Sequence, residues 1–174
     1  MVATRQLGPL GYTKSSVAKA AKAGRLHRLH RGVYVVGYRR LTWHGRCMAA
    51  VLASSPSVAS HWSAGWLWGL LRTRPGTIHV TCSTSRRVRR RFVVHASDLA
   101  DADRTVRDGI PVTSVARTIL DLAADSHPKT VARFIERADD EKVFDLREMR
   151  GLLDRSKGHR GWSKVRAALD AYRP

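Results

Sequence analysis

No aspartate or glutamate occurs before Asp98, so the first 97 residues carry 17 lysines and arginines unopposed. Solvated protein surfaces ordinarily interleave both signs. That absence excludes a surface held by its own ion pairs and points to a polyanionic partner, nucleic acid first. Cysteine is also scarce. Cys47 and Cys82 stand far apart with no CxxC, which excludes a disulfide framework and reads as two free thiols in a reducing cytoplasm. No run of about 18 apolar residues is present, so no transmembrane helix is expected. Met1-Val2-Ala3-Thr4-Arg5-Gln6 lacks the apolar core of a signal peptide. An anionic membrane surface is a second candidate partner, but it calls for a basic helix with large apolar residues opposite, and the Ala-rich helix near the start has none. There is no glycine-rich phosphate loop and no Gly-x-Ser-x-Gly elbow.

What is present suffices for a packed core. Of 174 residues, 43% are hydrophobic, too many for wholesale disorder. Residues 98–174 hold 15 basic and 14 acidic side chains, so nearly all of the net +18 lies in the first 97 residues. Gly8, Pro9 and Gly11 break residues 1–12 into at most one helical turn. Thr13 reads as the N-cap and Gly24 as the end of a helix over Lys14–Ala23. Leu26 to Gly37 reads as a hairpin turning at His30–Gly32. Residues 42–53 and 57–71 read as helices, the second rich in tryptophan. Residues 77–82 and 91–95 read as strands flanking the arginine run. Residues 110–112 are extended, and helices follow over 113–124, 128–143, 145–155 and 161–172.

Five constellations bear on function. In the first helix Ser15, Lys19 and Lys22 share one face, while Val17, Ala20, Ala21 and Ala23 are small enough to pack closely. A helix that reads the major groove needs this division. Lys14 and Ser16 on the same helix are further candidate DNA contacts, and Arg25, Arg28, His30 and Arg31 follow on the hairpin, where a wing meets phosphates or the minor groove. The run Arg86, Arg87, Arg89, Arg90 and Arg91, placed at a hairpin tip, would clamp phosphates without reading bases. Ser60-His61-Trp62-Ser63 pairs a serine with a histidine, but no acid lies in this half to complete a triad, so these residues read as helix start and core. Arg117 and Asp121 stand i, i+4 and read as a structural pair. Asp140-Glu141-Lys142 fits half of a nuclease metal motif, but in a polar helical stretch it reads as a solvated face. His27 and His30 lack further ligands at zinc-site spacing. No metal or cofactor is expected.

The segment from Gly24 to Gly37, Ser60 to Ala64, Gly109 to Thr113, Ala116 to Ala123 and Gly158 to Gly161 together resemble the motifs of AbiEi-like antitoxin domains, in the family's order across about residues 5 to 170. The resemblance implies a bacterial antitoxin of a type IV toxin–antitoxin system that represses its own promoter. Its toxin would be nucleotidyltransferase-like. It places the reading helix at Lys14–Ala23 and the wing at Leu26–Gly37. The family's first helix has no counterpart here. Arg5-Gln6-Leu7 is the stub of the second, which leaves an upstream start, a degenerate module or a completing partner as readings. The nuclease-like extension of many similar proteins has no counterpart either.

The expectation is therefore an α+β chain: a winged helix-turn-helix over 1–40, lacking its first helix, then a mainly helical domain with a small sheet over 41–174. It acts as a non-enzymatic, cytoplasmic, nucleoid-associated DNA-binding autorepressor. Its partners are double-stranded DNA and a toxin, with no membrane. Two other readings stand beside it: a module that neutralises a toxin by direct contact, and the remnant of a nuclease-linked protein. The sequence leaves the oligomeric state open.

Overall fold

The structure is a computed structural model that describes residues 1–37, 40–84 and 92–173. It is α+β, about half helical, with two small sheets. Among the described residues no helix is long and apolar enough to cross a membrane.

The first sheet holds β1 (Val2–Ala3), β2 (Leu26–His30) and β3 (Val33–Val36) in the antiparallel order β1-β3-β2. Between β1 and β2 lie a one-turn helix, α1 (Thr4–Leu7), and α2 (Lys14–Lys22). Thr13 caps α2, its hydroxyl accepting from Ser16 N–H at 3.1 Å. Leu7, Val17, Ala20 and Leu26 form a small core of their own. The hairpin end is tied back to the chain start, because Thr4 donates its N–H (2.8 Å) and its hydroxyl (3.2 Å) to Gly32 O.

The rest is a five-stranded mixed sheet with helices packed on it. Its strands are β4 (Val58–Ala59), β5 (His79–Cys82), β6 (Val93–Ala96), β7 (Arg104–Arg107) and β8 (Ile110–Thr113), in the order β6-β5-β4-β8-β7. The helices are α3 (Trp43–Ser54), α4 (His61–Leu67), α5 (Val115–Ala124), α6 (Pro128–Asp140), α7 (Leu146–Arg155) and α8 (Trp162–Ala171). Every residue of α5 from Val115 to Ala123 is buried, and α4, α6, α7 and α8 all pack against it. Gly161 sits so close to α5 that a Cβ there would lie 2.3 Å from Leu120 O.

Two expectations need correction. Residues 57–71 are not one helix: Val58 and Ala59 are the middle strand of the sheet, and only His61–Leu67 is α-helical. Their side chains are buried, so neither an amphipathic nor an alternating pattern marks them. Second, β5 and β6 run parallel and not as the antiparallel pair of a hairpin. The arginines expected there, Arg86, Arg87, Arg89, Arg90 and Arg91, lie outside the described residues. The extended piece expected at 110–112 is there as β8, and it forms a hairpin with β7, a strand not expected from the sequence. Asp108 (φ 50) and Gly109 (φ 74) form its two-residue turn, which is the Asp-Gly signature of such a connection.

Candidate nucleic-acid interface

Helix α2 divides its residues as a surface helix must. Val17 and Ala20 are buried, while Lys14, Ser15, Lys19 and Lys22 are exposed. Ser16 is half-buried and partly occupied, its hydroxyl donating to Thr13 O at 2.9 Å. Arg25, just before β2, Arg28 on it and Arg31 in the turn are exposed as well. None of these lysines and arginines makes an ion pair or hydrogen bond through its side chain with any described residue, as the lack of nearby carboxylates dictates. His30 is placed differently: it is half-buried and its ring meets Phe92 edge-on at 5.3 Å. That ring packs against the larger part of the protein, whereas Arg25 and Arg28 face solvent.

A second polar grouping lies inside the larger part: it joins Ser60-His61 and Arg117–Asp121, which the sequence offers only as separate pairs, with His79 and His95, which it does not single out. His79 and His95 stand on β5 and β6, and His61 lies where β4 turns into α4. The His61 and His95 rings stack face to face with centroids 3.5 Å apart, and His79 Nδ1 lies 3.0 Å from His95 Nε2. His61 adopts φ 50, a left-handed conformation that costs a non-glycine residue energy. Burial holds the His61 and His79 pKa values down at about 4. The neighbouring Asp121 acts the other way on His61, while the nearby histidines add to the depression. Burial lowers that of His95 too.

Asp121 joins this group to a buried ion network. Its Oδ1 accepts from Arg117 Nε at 2.8 Å and lies 3.5 Å from His159 Nε2. Arg117 also reaches Asp103 at 3.4 Å and donates to Ser97 at 3.1 Å, and Arg155 closes the chain onto Asp103 at 2.6 Å. Burial works against the Asp121 carboxylate, but His159, His61 and Arg117 outweigh it and hold its pKa below the ordinary value.

The network is not laid out as a hydrolytic relay. Ser60 Oγ (3.1 Å) and Asp121 Oδ2 (3.7 Å) both approach the same nitrogen of His61, whereas a Ser–His–Asp relay uses opposite nitrogens. Ser60 is fully buried and takes a hydrogen bond from the Thr81 hydroxyl at 2.7 Å. Among the described residues no group of three or more His, Cys, Asp or Glu side chains is arranged to hold a metal ion. Burial pushes the Cys47 thiol up to about 12, far from the range of a reactive thiolate. The Asp140-Glu141-Lys142 triplet is exposed at the end of α6.

No family model and no curated protein matches the chain. The fold is similar to that in the crystal structure of the RV2827C protein from Mycobacterium tuberculosis, with a TM-score of 0.59 over 97% of this chain and 69% of that one. The two are 18% identical, so the likeness is one of fold.

Proposed function

We propose that this protein binds duplex DNA through the exposed face of α2 and the strand that follows it. In this reading it acts as a non-enzymatic repressor of the antitoxin type that its sequence motifs resemble. One observation carries the reading: Lys14, Lys19, Lys22, Arg25, Arg28 and Arg31 stand exposed, unpaired with any described residue, in a region with no carboxylate. Lysine and arginine left unneutralised on a surface gain most from releasing counterions on a phosphate backbone. The local architecture supports the same reading. A strand, a one-turn helix, a second helix and a hairpin whose strands pair in the order β1-β3-β2 suit a helix lying in a groove with a hairpin beside it. In this reading Ser15, Lys19 and Lys22 face base edges and Arg25 and Arg28 hold phosphates.

The test is fluorescence anisotropy with the protein's own upstream DNA and with a scrambled duplex, across a salt series. A scrambled duplex bound at least about a hundredfold more weakly marks a sequence reader. Replacing Lys19 and Lys22 by alanine lowers the slope of log affinity against log salt by about 2, close to 0.9 for each phosphate no longer neutralised. An unchanged slope in that variant removes α2 from the interface.

A further inference from the structure

A cavity of about 680 Å³ lies between β2 of the small sheet and, in the larger part, α3 and the residues just ahead of β5 and β6. That size falls within the roughly 300–1,000 Å³ of small-molecule sites. Leu29, Leu41, Ile78 and Phe92 give it an apolar lining, and Ala49 and Ala50 bring only methyl groups to it. Its charges are Arg40 and Arg46, both exposed and without any side-chain partner among the described residues. No element lining the cavity contributes a carboxylate, since none precedes Asp98. The buried Phe92 ring and the half-buried His30 ring meet edge-on at 5.3 Å in the cavity wall.

We propose that this cavity is a binding site for a small anion with a planar apolar body, a nucleoside monophosphate being the model of the class. Guanidinium forks match the oxygens of a phosphate or carboxylate in pairs, and the hydrocarbon lining takes the ring. A duplex backbone fits less well, because its phosphates and sugars would leave the apolar wall of Leu29, Leu41 and Ile78 unfilled. The site stands on the cavity and is independent of DNA binding. An occupant would press on β2, the strand that carries Arg28, and that coupling alone rests on the DNA reading.

Isothermal titration of the full chain at physiological ionic strength, without DNA, tests the proposal with three probes: adenosine monophosphate, adenosine and inorganic phosphate. The nucleotide binds saturably, and adenosine and phosphate each bind at least about tenfold more weakly. The paired change Arg40→Gln and Arg46→Gln weakens the nucleotide at least about tenfold. The matched change Arg72→Gln and Arg74→Gln, which removes two exposed charges elsewhere, leaves it as it was. Three results overturn the proposal: no saturable binding with a Kd below about 1 mM, equal weakening in the two paired variants, or phosphate binding as tightly as the nucleotide. Because no DNA is present, none of these outcomes bears on the reading helix.

Discussion

Within residues 1–37 every lysine and arginine except Arg5, which donates to Leu52 O at 3.0 Å, is exposed and without a partner among the described residues. In the larger part of the chain the cations that reach the interior are engaged. Arg117 bridges Asp121 and Asp103, Arg155 closes onto Asp103, and Lys164 donates to the carbonyls of Ala123, Ala124 and Ser126 at the end of α5. The same residue types do two jobs. Where acids accompany them they hold helices together, and where acids are missing they stand exposed and, Arg5 apart, without a partner among the described residues. The comparison makes stability and binding separable by mutation.

The sharpest break is Arg117→Ala. It leaves the Asp121 carboxylate buried with only the His61 and His159 rings close to it, and loss of one partner of a buried pair costs about 3–5 kcal/mol. The expected fall in Tm is on the order of 10 °C, followed by circular dichroism. A fall of less than about 2 °C would mean that the network is not what joins α5 to its neighbours.

Acid probes the same side of the comparison more gently. His61 and His79 are held at about 4, below the ordinary histidine value of 6.5. Between those two values the unfolded chain binds protons that the folded chain refuses. Stability is therefore full above about pH 6.5 and is lost as pH falls toward 4. Tm measured from about pH 7.5 to about 4.5 drops accordingly, and His79→Gln flattens the lower part of that curve. An equally steep curve in that variant would place the titrating groups elsewhere.

How far the sequence reveals each region follows from the same contrast. Helix α2 and its hairpin were legible because their signals are local: a threonine cap, a small apolar face and a glycine turn, all close together along the chain. The charge pattern was equally plain, being an absence countable along the chain. The larger part hid its arrangement because its determinants are distant. His61, His95, Asp121 and His159 come together from four separate segments, and no spacing rule joins them. Strand β4 hid for a different reason. It is two residues long and buried, so hydrophobicity alone could not separate it from the helix that follows. Strand β7 could have been found from Asp108-Gly109, a dipeptide that marks a hairpin even beside polar strands.

Two helix caps with the same chemistry give a finer comparison. Thr13 accepts from Ser16 N–H and Thr42 from Gly45 N–H, both at 3.1 Å. Alanine at either position costs about 1 kcal/mol and a Tm loss of a few degrees. Thr13→Ala should also weaken DNA binding, because the start of α2 frays beside Lys14 and Ser15. Thr42→Ala should leave binding alone, since α3 carries no part of the reading face. Equal effects of the two on DNA affinity would show that binding follows general stability and not α2.

The smallest expected effect decides most about what the unpaired cations are for. Lys19→Ala with Lys22→Ala removes two exposed side chains that hold no polar partner among the described residues. Exposed helix positions of this kind tolerate alanine within about 0.5 kcal/mol, and alanine is the best helix former. Tm should hold within about 2 °C, even as the salt dependence of DNA binding falls. Arg117→Ala should do the reverse: at a temperature where it remains folded, its DNA salt slope matches that of the parent while its Tm is far lower. If the double lysine variant instead melted early, the basic face would be part of what holds the N-terminal sheet together. The absence of acid in the first 97 residues would then need an explanation inside the fold rather than in a polyanionic partner.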